Sequence, residues 1–531
     1  MRWAPAFAVR WLFDSERGSR NRFLPRWIFL RALGFIYFSA FFSLIFQIRG
    51  LIGPKGILPS GEYLQLVARA YGSARFWYAP SLFWISSGPH MLMAVTWIGL
   101  IASVLLFLNF WPRGMLVICF VCFLAFVTAS SDFSMYQSDG MLLEAGFISL
   151  FFAPPGFRPG LAKDRPPVRA AYYLLLWEWF RIYFESGAVK LLSHDPEWRS
   201  LTAMDEYYQN GPLPTWIGWY VQHLPHRFHA FTAGATLVLE LGLVWTMFLP
   251  RRWRIVLFLI VTPWEIGVIL TANYCFLNYL VLFLGILLLD DRFLERYTPR
   301  RWKEELRAIA PTKQATETAG EHDVIHPVRA LKLFLTSALL GWIFYATTVE
   351  LIWMFWPVHL PASPIAVLEP FRIANRYGLF ANMTRGRYEI EFQGSNDGAN
   401  WTAYPFRFKQ LDPSKPPGIY APYHPRFEWN LWFASLTDWR ESPIVPGTEE
   451  RLLTGSKDVL ALFAGNPFPN GPPKQVRAVL WQYWFTTLAE KRATGNWWNR
   501  KLLGLYAPTL ELAPDEQFRA VEWPGQLPPH D

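Results

Sequence analysis

Apolar runs long enough, or nearly long enough, to span about 30 Å of hydrocarbon recur from Trp27 to Trp356 and then stop. Nine are legible, at 27–48, 90–111, 115–130, 139–154, 170–192, 229–249, 254–271, 274–290 and 330–356. The third, fourth and eighth are short for a crossing, so the pattern predicts about eight or nine transmembrane helices. Beyond 357 the period changes from helical to alternating: Tyr388, Ile390 and Phe392 fall on one face of a strand, and Arg387, Glu389 and Glu391 on the other. Turn residues at 394–398 and a second alternation through Tyr404, Phe406 and Phe408 predict a hairpin. A mixed apolar strand is expected at 475–485, after a short helix over 457–464 capped by Ser456.

The fold class is therefore a polytopic α-helical membrane bundle followed by a β-rich soluble exported domain. Its expected parts are a cytoplasmic segment 1–26, a bundle 27–290, a cytoplasmic linker 291–329, a last transmembrane helix 330–356 acting as a tether, and an exported domain 357–531 with its own core. Composition agrees: 52% of the 531 residues are hydrophobic and 18% aromatic. Of the net charge of +9 the residues beyond 357 contribute only +1, so the basic excess belongs to the membrane half, and loops on the N-terminal side carry several times as many Lys and Arg as those opposite. By the positive-inside rule the N-terminus is cytoplasmic. An odd number of crossings then exports 357–531. Arginines placed by topology argue against nucleic acid as a partner. Segment 1–26 is Arg-rich and the run after it too long for a cleavable signal peptide, so the first run is expected to stay as an anchor. The three cysteines, Cys119, Cys122 and Cys275, all lie in apolar runs, leaving the exported domain without disulfides.

Charge inside the runs needs a reason, because one Asp, Lys or Arg at mid-membrane costs about 2.5–3.5 kcal/mol. Glu178, Arg181 and Glu185 share a helical face at i, i+3 and i+7. Lys190 falls off that face, beyond Ser186 and Gly187, where the helix could end or bend. Glu144 in a neighbouring run could meet Arg181, and Glu240 and Glu265 are two more acids in apolar surroundings. Two readings stay open: a charge network that locks the bundle, or a reacting or ligand-binding site. His223, His226 and His229 are spaced like metal ligands, but Pro225 interrupts the helix and no acid stands near, so no metal is assigned. Cys119 and Cys122 read as packing residues. Asn382 and Asn400 head N-glycosylation motifs on the expected outer side.

Residues 137–147 (QSDGMLLEAGF), 150–154 (LFFAP) and 186–202 (SGAVKLLSHDPEWRSLT) resemble the lipase maturation factor family. The resemblance continues through 387–401 (RYEIEFQGSNDGANW), 416–426 (PPGIYAPYHPR) and 429–436 (WNLWFASL). It implies a chaperone-like maturation factor for secreted lipases, with no cofactor, a lipase-like client and membrane lipid as partners. The implied location is the endoplasmic reticulum membrane in a eukaryote or the inner membrane in a bacterium. The end 527–531 shows no obvious retention signal. Client-binding candidates are Trp429, Trp432, Phe433, Trp481 and Trp484, of which part must serve as core. A shorter stretch, 181–190 with 195–198, is similar to the lysine-bearing helix end of vitamin K-dependent carboxylases. That likeness implies the alternative, a quinone-using membrane enzyme with Lys190 as a desolvated base and Glu178, Arg181, Glu185 and Glu144 around it.

Overall fold

Each expected apolar run is occupied by helix in the structure, a computed structural model that describes residues 4–14, 18–161, 165–308 and 327–527. The principal helices are α1 (Phe23–Ile45), α2 (Pro89–Phe107), α3 (Pro112–Val127), α4 (Gln137–Phe152), α5 (Arg169–Leu192), α6 (His226–Leu241), α7 (Arg251–Thr271), α8 (Leu277–Gly285) and α9 (Pro327–Trp353). Prolines 89 and 112 stand at the first helical positions, where the missing N–H has no partner to lose. Among the described residues five helices are long and apolar enough to cross a membrane: α1, α2, α6 with the turn that follows it, α7 and α9. Helices α3, α4 and α8 are short, and α5 is long but charged. Of the expected linker 291–329, residues 309–326 lie outside the described residues, as does most of the chain end 527–531.

Helix α5 is the centre of the bundle, packing on α4, α6, α8 and α9. It runs unbroken through Gly187 to Leu192, so the break expected there is absent. Gly187 instead lets two helices approach. A Cβ at that position would stand 2.8 Å from Glu240 Cβ and 2.9 Å from Leu241 Cγ of α6.

The C-terminal domain holds an antiparallel sheet of β1 (Arg387–Ser395), β2 (Thr402–Ala403), β3 (Gln475–Phe485), β4 (Trp498–Leu505), β5 (Thr509–Leu512) and β6 (Phe518–Glu522), in the order β2-β1-β3-β5-β6 with β4 also paired to β3. Strand β3 has the expected bounds, and Tyr388 opposes Gln482 in the long β1–β3 ladder. The returning hairpin strand is only two residues. Phe406 and Phe408 lie outside it because the amides of Arg407, Phe408 and Lys409 donate to the Glu428 carboxylate rather than to a strand. The helix capped by Ser456 is likewise shorter than expected, Lys457–Leu460.

The C-terminal residues do not form a separate body on a tether. One continuous apolar core runs from Phe29 and Leu30 of α1 to Ile390, Phe392 and Leu480 of the sheet. The charged face of β1 is covered as well. Arg387 and Lys409 both pair with Glu389, and Arg500 lies 3.4 Å from Glu391.

Candidate functional site

The buried charges of α4 and α5 converge on an irregular stretch of the C-terminal domain, residues 372–384. Glu144 accepts from Arg181 with one oxygen. With the other it accepts from the Asn375 amide at 2.9 Å and the Asn375 side chain at 3.1 Å. Arg181 donates to the Asn375 carbonyl at 2.6 Å, and Glu185 accepts from the Tyr377 amide at 2.6 Å. The pattern continues along the stretch. Gln137 takes the Gly378 amide and Asp195 the Met383 amide, both at 2.8 Å. Trp198, Ser193 and Asn210 donate to the carbonyls of Phe380, Ala381 and Thr384.

Non-helical backbone among membrane helices survives only where its polar groups are satisfied, each orphan costing about 1–3 kcal/mol. The buried charges of α4 and α5 supply that satisfaction here. Glu178 is different: it is fully buried one turn further in, and neither carboxyl oxygen has a hydrogen-bond partner.

A second fastening joins the loop 416–426 to the bundle. Arg426 Nη1 and Nη2 each lie 2.7 Å from an oxygen of Asp139, and Nη1 also donates to the Phe133 carbonyl at 2.8 Å. The guanidinium stacks over Phe126 and Tyr136. Asn273 accepts the amides of Tyr420 and Ala421 and donates to the Gly418 carbonyl, while Gln47 donates to the His424 carbonyl. Asn273 and Asn375 carried no signal in the sequence, since a lone Asn beside an apolar run is indistinguishable from an ordinary turn residue.

The remaining charges face a cavity of about 320 Å³ between α5, α6, α7 and α8, roofed by Tyr377 and Phe380. Lys190 Nζ donates to Glu240 at 2.6 and 2.8 Å and to Ser186 Oγ at 2.8 Å. Glu265 accepts from Tyr183 at 2.8 Å and from Asn278 at 2.6 Å. Lys190 and Glu178 thus lie in different places: Lys190 on the cavity, Glu178 sealed within the Glu144–Arg181 cluster.

The aromatic candidates divide. Trp429 is buried against Tyr136 and His424, so it serves the core. Trp432 is half-buried and donates to the Asn210 carbonyl, and Trp481 lies half-buried beneath the Arg500 guanidinium. Phe433 and Trp484 are exposed. His223 bonds to the Trp219 and Thr486 carbonyls and His226 to Asp205, so these histidines are not gathered. No cluster able to hold a metal occurs among the described residues.

Residues 24–296 match the model of the lipase maturation factor transmembrane domain, and residues 373–508 that of the lipase maturation factor C-terminal domain. The chain is 31% identical to lipase maturation factor 1 of Bos taurus, over 95% of this chain and 92% of that protein. It is 30% identical to lipase maturation factor 1 of Mus musculus, over 95% and 90%, and 30% to lipase maturation factor 2 of Homo sapiens, over 93% and 83%. No solved structure matches. None of these matches is a carboxylase, and the shorter likeness around Lys190 gains no support from them.

Proposed function

The chain belongs to the lipase maturation factor family, and from that premise we propose that it is a membrane-embedded maturation factor assisting the folding and assembly of secreted lipases. One observation carries the reading from family to mechanism. The motif blocks of the two halves are one another's partners, Asp139 and Glu144 in the first, Arg426 in the second, with Asn375 between them. Glu144, Arg181 and Glu185 each bond to the backbone of 372–384, which favours a fastening role over a reacting one.

In this reading the bundle holds the C-terminal domain rigidly at the membrane surface, where exposed apolar side chains cover apolar surface on an incompletely folded lipase. Phe433 and Trp484 are the contact residues, with Trp432 beside Phe433. Helices α1 to α9 cross nine times, with the N-terminus cytoplasmic and 357–531 in the lumen of the endoplasmic reticulum, or in the periplasm of a bacterium.

The test is co-purification of a secreted lipase with the full-length, detergent-solubilised chain. Capture by wild type and its loss in the Phe433→Ser/Trp484→Ser double variant, at equal folded yield, supports the reading. Undiminished capture by the double variant moves the contact elsewhere.

A further inference from the structure

The Lys190–Glu240 cavity holds more hydrogen-bonding capacity than its own residues use. The three ammonium hydrogens of Lys190 are taken by Ser186 and the two oxygens of Glu240. Glu265 accepts a single bond at each oxygen, which leaves a lone pair on both, and it has no ion-pair partner among the described residues. Formal charge at the cavity is one ammonium against two carboxylates. Glu265 therefore offers free acceptor capacity to a molecule held in the cavity.

The walls are apolar and aromatic, including Trp198, Tyr207, Trp264, Tyr274 and Phe380. On α7 the lining residues Pro263 and Gly267 are exposed on the outer surface of the bundle, and a Cβ at Gly267 would meet nothing within 4 Å. Helix α7 is an apolar helix of membrane-crossing length with only 17% of its apolar window buried, so this opening faces lipid rather than water. Pro263 also removes one ladder hydrogen bond at the mouth.

We propose that this cavity binds an amphiphile drawn from the bilayer, with a hydrocarbon tail and a hydrogen-bond-donating head, an alcohol or an amine. The head donates to Glu265, and the tail lies along the aromatic wall towards Gly267. A carboxylate-headed lipid is disfavoured, since it brings a third negative charge to a cavity that holds two carboxylates and one ammonium, the ammonium already paired with Glu240. The site stands independently of lipase handling, which rests on Phe433 and Trp484, neither of which lines the cavity.

The test is saturable binding of radiolabelled 1-oleoylglycerol, oleylamine and oleate to the full-length chain in phosphatidylcholine nanodiscs. The two donor-headed probes should bind at least about tenfold more tightly than oleate. Gly267→Trp, which fills the mouth, should weaken both by at least about tenfold, and Thr236→Phe, on the α6 wall, serves if that variant does not fold. Glu265→Gln tests the placement of the head: it should weaken oleylamine about tenfold and 1-oleoylglycerol less than about threefold, because only the ammonium loses a charge-assisted bond, and no change in oleylamine binding would overturn the proposal. Oleate binding as tight as the others, binding indifferent to both cavity-filling variants, or no saturable binding of any probe would overturn the proposal.

Discussion

The guanidinium of Arg426 lies on the carboxylate of Asp139, two nitrogens each 2.7 Å from an oxygen, with both side chains withdrawn from solvent. The pair joins the C-terminal domain to α4. Removing one partner strands a buried charge, so Arg426→Met should destabilise the chain by about 3–5 kcal/mol. The double variant Asp139→Leu/Arg426→Met should recover most of that loss, because replacing a buried pair with apolar groups is near neutral. Unfolding of the solubilised chain, followed for both variants against wild type, measures the difference.

Glu144→Ala leaves Arg181, the Asn375 amide and the Asn375 side chain without their shared acceptor. A cost of about 3–5 kcal/mol is expected, with the loss local to 372–384. Limited proteolysis should then cut within that stretch at protease levels that leave wild type intact.

Gly187→Val places a branched side chain where even a Cβ meets Glu240 and Leu241 of α6 below 3 Å. Overpacking of about 1–3 kcal/mol should follow as α5 and α6 separate, lowering the melting midpoint. Gly234→Val, at a position with open space, should change it far less.

His424 sits among the rings of Tyr136, Phe276 and Trp429, and neither ring nitrogen has a hydrogen-bond partner. Burial, with Arg426 adding to it, holds its pKa well below the usual imidazole value of 6.5. The unfolded chain takes up a proton there and the folded chain does not. Stability from this residue is therefore present above about pH 6.5 and lost as pH falls below it, by at most about 1.4 kcal/mol per pH unit. Unfolding measured from about pH 7 to pH 5 should show wild type losing more stability than His424→Phe.

The helices and strand β3 were legible because hydrophobic period is a local property that survives without knowledge of neighbours. What lay beyond reach is long-range. Arg426 and Asp139 are separated by 287 positions, and nothing local to either names the other. Phe406 and Phe408 alternate like a strand, yet Glu428, some twenty positions away, takes the amides a strand would need. Trp429 looked like surface by its neighbours Trp432 and Phe433, but Tyr136 and His424 bury it. The charges of α5 were visible in the sequence; that they satisfy the backbone of 372–384 was not, since backbone donors leave no mark in a sequence.

The decisive experiment is secreted lipase activity from cells lacking their own lipase maturation factor, complemented at matched protein levels with wild type, Asp139→Leu/Arg426→Met, or Phe433→Ser/Trp484→Ser. If the buried charges fasten and the exposed face handles the client, the apolar replacement should keep activity within about twofold of wild type, while the surface variant falls at least about fivefold. Loss of activity in a folded Asp139→Leu/Arg426→Met chain, with the surface variant unimpaired, would be incompatible with that division of labour and would return the buried charges to an active role.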